Sequence, residues 1–264
     1  MISLHRAGDR HPGGDPAAGI ETRHAFSFGS HYDPDNLRFG ALIACNEERL
    51  APGAGFDEHP HSHTEIITWV VEGELTHRDS TGHATAVRPG DLQHLSAAAG
   101  VRHVERNDGE TPLTFLQMWL TPLTPGGEPS YGVVRGPGPG AGVADVEPGP
   151  GAGSGTGVDT DGGAGHGAGA ASVSYAVPAA GAVLHVHRPG AGERVALPDA
   201  PFVYVHLVRG RLALPSPPTG PAGLTAGPSG EEIGPGDAVR IAGEKGLELA
   251  AATAGEVLVW EMAG

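Results

Sequence analysis

Residues 59–75, HPHSHTEIITWVVEGEL, set histidines at every second position and then run into an apolar stretch rich in β-branched and aromatic residues. In an extended chain alternate side chains share a face, so His59, His61 and His63 on one strand would project from the same side at intervals of about 6.6 Å. That is a chelating edge in need of further ligands. Downstream, GVRHVERN supplies His103 and Glu105 with the same alternate-residue spacing. Two such strands facing each other inside a small barrel make a site of three histidines and one carboxylate.

The surrounding sequence supports a barrel. AFSFG, FGALIAC, TAVRPGD and PLTFLQMWLTP are short apolar runs, each bounded by Gly, Pro or Asn, and strands at such spacing indicate an all-β barrel or sandwich. Before residue 125 no stretch carries a long helical period with caps. At 264 residues the chain suits two domains of about 100 to 150 residues each. Residues 1–22 are polar and rich in Gly, Pro and charge and are expected to form an arm or irregular loop. An N-terminal domain over 23–134 follows. Residues 135–171 are about half Gly or Pro, too poor in apolar surface to offset the entropy of ordering, and are expected to be a mobile linker that leaves His166 solvated. A second β-rich domain spans 172–264, with a loose loop near 215–230.

The net charge of −15, with no compensating Lys/Arg cluster, argues against direct contact with nucleic acid and against anionic membrane surfaces. The single cysteine, Cys45, excludes an intramolecular disulfide framework and fits a reducing compartment. No secretory signal or membrane-spanning stretch is visible, so a cytoplasmic location is expected.

The two halves repeat one pattern. WVVEGELTHR is echoed by VHLVRGRLAL, and RPGD by GPGD, as expected for duplication of one β unit. Setting Asp91 against Asp237 places Leu249 and Ala251 where the first half has His103 and Glu105. Setting Gly73 against Gly210 places Ala196 and Pro198 where it has His59 and His61. The second domain is thus expected to hold no metal, and His185 and His187 lie outside the register that the repeat demands.

The combination HPH, EGELTHRDS, RPGD and GVRH, together with FGALIACNEERLAPGAGF and FLQMWLTP, resembles the pirin family of bicupins. The likeness is strong over residues 22–131 and weak beyond. It implies two jelly-roll cupin barrels, with His59, His61, His103 and Glu105 holding one divalent transition metal. Fe(II) is the first choice, and Ni, Mn, Co, Cu and Zn are competitors, since tighter-binding metals displace iron. Imidazole and carboxylate donors suit such metals and leave coordination positions open.

Around this set, His63 is a candidate for pocket lining. Glu65 is a candidate hydrogen-bond partner of the ligating histidines. His94 and Gln117 are candidates for the cavity wall. Glu72, Glu74 and Asp79 read as solvated hairpin charges. The resemblance implies a dioxygenase that cleaves a flavonol-like aromatic substrate with O2, Glu105 acting as ligand and as base. The alternative is a non-enzymatic, redox-sensing iron protein acting through a protein partner. A cupin isomerase or sugar-processing enzyme would need basic groups near the ligands, where only Arg102 and Arg106 qualify.

Overall fold

The computed structural model describes residues 1–136, 171–214 and 230–264, and the expected linker with His166 and most of the loose loop near 215–230 lie outside the described residues. The described residues fall into two compact units, one of residues 10–136 and one of residues 1–9 together with 171–214 and 230–264. Each is a cupin barrel of two antiparallel sheets, and the chain is a bicupin.

Residues 1–22, expected as an arm, are largely strand. β1 (Ile2–His5) pairs with a strand of the second unit, while β2 (His11–Asp15) and β3 (Ile20–His24) open the first. The pattern escapes a reading by hydrophobicity because β2 is HPGGD, an exposed edge strand whose backbone rather than its side chains does the pairing.

The first unit continues with β4 (Leu42–Leu50), β5 (Gly55–His61), β6 (Glu65–Glu72), β7 (Leu75–Asp79), β8 (Ala84–Val87), β9 (Leu92–Ser96), β10 (Val101–Arg106), β11 (Leu113–Leu120) and β12 (Ser130–Val134). Its larger sheet has the order β12-β9-β6-β11-β4-β3-β2 and its smaller sheet β5-β10-β7-β8. In β6 and β11 the β-branched and aromatic residues suit a pleated surface that is buried on both faces.

Alternation sorts the larger sheet into layers. Leu50, Val70, Leu113 and Phe115 pack with Leu75 and Val87 into one core cluster. Ile66, Leu95, Ala97 and Val101 form another, joined by Trp119 and Tyr131. Between these two layers the same face carries a polar row. His24 pairs with Asn46, Asn46 with Gln117, Gln117 with Thr68, and Thr68 with Gln93, each on the adjacent strand.

The second unit comprises β13 (Ala171–Val177), β14 (Ala182–Arg188), β15 (Arg194–Ala196), β16 (Phe202–Arg209), β17 (Leu212–Ala213), β18 (Glu232–Ile233), β19 (Ala238–Ala242), β20 (Glu248–Ala251) and β21 (Glu256–Met262). Its sheets, β1-β19-β16-β21-β14-β13 and β15-β20-β17-β18, reproduce the strand order of the first unit, with β1 in the place of β12. Gly73 and Gly210 occupy matching turns at φ 81° and 89°, and a Cβ on either would fall 2.6 or 2.5 Å from a backbone carbonyl oxygen, so both turns require glycine.

The gapless register drawn from the sequence is corrected by one residue. Leu249 faces Val195, as His103 faces His59, so Val195 and Leu197 are the inward positions and Ala196 is exposed. The link from β15 to Gly210 is one residue longer than its counterpart. Where Glu105 faces His77, Ala251 faces Leu212. The interior of this barrel is filled by aliphatic side chains, Val195, Leu207, Leu249 and Val259 among them. His185 lies on β14 opposite Val259, on the face that looks into the barrel, and its ring is held by Ser174 Oγ at 2.8 Å and Glu261 Oε2 at 3.0 Å.

Candidate metal centre

The site is built where β5 and β10 lie side by side. His103 is directly opposite His59, and a β-bulge follows, so that Glu105 faces Phe56 with Asp57 and Glu58 taking up the extra length of β5. Such bulges re-aim side chains. Here the carbonyl oxygen of Asp57 accepts the proton of His59 Nδ1 at 2.7 Å. That bond assigns the tautomer and leaves the lone pair of His59 Nε2 free.

The three rings converge. His59 and His103 have centroids 4.4 Å apart, and His61 lies 4.8 Å from His59 and 4.9 Å from His103. His59 Nε2 and His103 Nε2 are 3.0 Å apart, and two nitrogens on neighbouring positions of a metal bound at about 2.1 Å stand roughly 3 Å apart. His61 Nε2 is buried and has no hydrogen-bond partner among the described residues. One nitrogen from each ring lies within 4.8 Å of the other two. This donor set fits a divalent transition metal.

Burial, reinforced by the neighbouring His103 and His59, pushes the His61 imidazole down to about 4. Burial, with His59 and His77 beside it, pushes His103 down to about 3. Both rings are therefore neutral, with a lone pair to offer, throughout the physiological range.

Glu105 is fully buried and anchored at both oxygens. Oε1 accepts from Gln93 Nε2 at 2.8 Å, and Oε2 from Gln117 Nε2 at 2.6 Å. Gln117 in turn accepts the indole proton of Trp119 at 3.0 Å, and the Trp119 ring meets His61 edge-on at 4.9 Å. Glu105, His103 and His77 form a second group whose ligand atoms lie within 4.8 Å of one another, so the two groups share His103.

Of the sequence candidates, Gln117 joins the site. His63, Glu65 and His94 do not. The expected single strand ends at His61, and His63 sits exposed in the turn before β6 with φ 55°, so it no longer shares the face of His59 and His61. The turn resets the alternation. Thr68 and Val70 point into the barrel, which puts Glu65 on the outer face of the larger sheet. There Glu65 bonds His94 Nε2 at 2.7 Å and Ser96 Oγ at 2.9 Å. Asp79 is not a solvated charge either, since its side chain is fully buried.

Sequence reasoning missed His77, Gln93 and Tyr131. His77 is buried on the face of Leu75, its ring 5.3 Å from that of His103. The alternation of LTHRD carried that signal. Gln93 and Gln117 were marked by a polar residue at an inward position of an otherwise apolar strand. Tyr131 stacks on His77 at 4.2 Å and donates to Gln93 Oε1 at 3.1 Å. Burial raises its phenol pKa, so the hydroxyl remains a donor. A surface depression of about 340 Å³ touches His61 and is lined by Pro60, Ser62, Ser80 and Arg102, of which the paired Pro60 and Arg102 alternate with the converging histidines and so face away from them.

Known proteins resemble this chain in sequence and fold. The pirin family profile matches residues 7–120. A Mycobacterium tuberculosis protein named "Putative quercetin 2,3-dioxygenase" is 36% identical over 262 residues, spanning 99% of this chain and 95% of that protein. The Escherichia coli protein named "Quercetin 2,3-dioxygenase" is 39% identical over 132 residues, which is 50% of this chain and 56% of that one. The crystal structure of the Escherichia coli pirin YhhW in complex with nickel(II) superposes with a TM-score of 0.76 at 23% identity, covering 100% of this chain and 99% of that chain.

Proposed function

Because this chain belongs to the pirin family, we propose that it is a metal-dependent dioxygenase that cleaves a flavonol-like aromatic substrate with O2. The ligands are His59, His61, His103 and Glu105, and the metal is one divalent transition ion, Fe(II) by preference. The observation that carries this reading is the convergence of three imidazoles, two of whose Nε2 atoms stand 3.0 Å apart, beside a buried carboxylate. The names borne by the relatives and the nickel(II) of the Escherichia coli pirin support it.

A metal bound there supplies a Lewis acid with open positions for substrate oxygens and O2. The protein supplies the rest. Asp57 orients His59, the amides of Gln93 and Gln117 hold both oxygens of Glu105, and Trp119 walls one side of His61. Each Glu105 oxygen accepts one amide proton and keeps a further lone pair, enough for the carboxylate to act as ligand and to accept the proton of a substrate hydroxyl.

The test is anaerobic reconstitution with Fe(II), Ni(II), Mn(II), Co(II) or Cu(II) in turn, followed by oxygen uptake and loss of flavonol absorbance. Metal-dependent turnover that His103→Ala abolishes is expected. Stoichiometric metal binding without turnover in any form rejects the dioxygenase and leaves the redox-sensing regulator.

A further inference from the structure

Behind the three converging histidines lies a second array that the proposed chemistry does not use. Asp79 terminates β7 and collects donors. Its Oδ1 accepts from the amide of Thr81 at 2.9 Å, the hydroxyl of Thr81 at 2.6 Å and the amide of His83 at 3.2 Å. Its Oδ2 lies 3.1 Å from His77 Nε2. A carboxylate surrounded in this way only accepts, so His77 carries a proton on Nε2. His77 Nδ1 is then a bare lone pair, buried and with no hydrogen-bond partner among the described residues.

His77 belongs to the group in which His77, His103 and Glu105 each bring one ligand atom within 4.8 Å of the others. His103 Nδ1 is likewise buried without a partner among the described residues, and it lies 4.0 Å from Glu105 Oε1. If Nε2 of His103 is the ligand, its Nδ1 must carry the proton. One N–H donor and two acceptors then share this buried group, and the donor stands 4.0 Å from the carboxylate acceptor, a separation that a single bridging water spans. The His77 ring cannot turn away, because Tyr131 stacks on it at an interplanar angle of 10°.

We infer that Asp79 and His77 are positioning residues for His103: Asp79 fixes the His77 tautomer, and the bare Nδ1 of His77 keeps the His103 proton on Nδ1 and Nε2 free as ligand. Tyr131 extends the same control to Glu105, since its hydroxyl orients the side-chain amide of Gln93 that holds the carboxylate. The inference rests on the proposed ligand set. Partners of this kind typically change metal affinity 10- to 100-fold.

The experiment uses the full chain stripped of metal and titrated with Co(II) alone, reading both affinity and the visible d–d absorption of the bound ion. His77→Phe keeps the stack on Tyr131 and removes both nitrogens. Asp79→Asn keeps the shape and lets an amide N–H reverse the His77 tautomer. Both are expected to weaken Co(II) about 10- to 100-fold and to shift the absorption, while Arg78→Ala, which alters the same strand at an exposed position paired with Asp108, binds like the wild type. Unchanged affinity and spectrum in both variants, or an equal loss in Arg78→Ala, overturns the inference while leaving the ligand set standing. A wild-type chain that binds no Co(II), or a His103→Ala variant that binds as tightly, overturns the ligand set and the inference together. Melting of the metal-free variants checks that each is folded, and Asp79→Asn carries the test if His77→Phe is not.

Discussion

Gln117 Nε2 donates to Glu105 Oε2 at 2.6 Å, and both side chains are buried. A bond to a charged acceptor in such a place contributes about 1.5–3 kcal/mol, and removing the donor leaves a carboxylate oxygen short of a partner. Gln117→Leu is therefore expected to destabilise the metal-free chain by about 2 kcal/mol in urea unfolding. It should also weaken Co(II) binding, since Glu105 would be held by Gln93 alone. Wild-type stability with wild-type affinity would show that Gln117 only fills space.

The lowered histidines give the metal-free protein an acid-side dependence of definite sign. In the unfolded chain His61 and His103 take up protons near 6.5, whereas in the folded chain burial holds them to about 4 and about 3. Between these values the unfolded state binds more protons, so stability climbs with pH over that window and is lost as pH falls from 6.5 towards 4. Thermal melting of the metal-free chain from pH 7 to pH 4 should show this slope, and a His61→Gln/His103→Gln double variant should flatten it. An equal slope in the variant would place the dependence elsewhere.

Glu48 works in the opposite direction. Burial raises its carboxyl to about 7, with the charge of Glu105 adding to the effect and hydrogen bonds from Thr22 and Asn46 opposing it. The folded state thus keeps a proton between 4.5 and 7 that the unfolded state has lost. The stability tied to neutral Glu48 is complete below 4.5 and gone above 7. A Glu48→Gln variant keeps an oxygen for Thr22 and never ionises. It should match the wild type near pH 4 and exceed it at pH 8 by an amount on the order of 3 kcal/mol. A variant no more stable at pH 8 would mean that Glu48 ionises at its ordinary value.

How much of this could be read from the sequence depends on what alternation can and cannot carry. The pairs His59/His61 and His103/Glu105 are legible because a period of two survives inside one strand. It does not survive a turn. His63 reads as sharing the face of His61 because nothing in HSHTE announces that the chain bends at a left-handed histidine, and the same bend carries Glu65 to the outer face. Register between the repeats failed by one residue for a similar reason, a longer link before β16 that shared motifs do not reveal. Thr68 and Gln117 of the polar row could have been found, since their neighbours two places away, Ile66 and Val70, Phe115 and Trp119, are apolar, whereas Glu48, Thr22 and Asp91 blur the signal at Asn46, His24 and Gln93. The purpose of the row could not, because it depends on Glu105 arriving from the other sheet.

The two faces of the larger sheet make a last contrast that is open to measurement. Glu65 is as buried as many core residues and sits four positions after His61, yet both of its oxygens are engaged on the outer face by His94 and Ser96. Gln117, far from the histidines in sequence, touches Glu105 directly. Distance along the chain and distance to the metal centre are therefore reversed for these two residues. Glu65→Gln is expected to lower stability by about 1–2 kcal/mol, because a charge-assisted bond to His94 becomes a neutral one, and to leave Co(II) affinity within about twofold of wild type. A large loss of affinity in Glu65→Gln, with the chain still folded, would mean that the outer face controls the ligands through the strand itself. The expected outcome, loss of stability without loss of metal, would separate the fold's carboxylate from the site's.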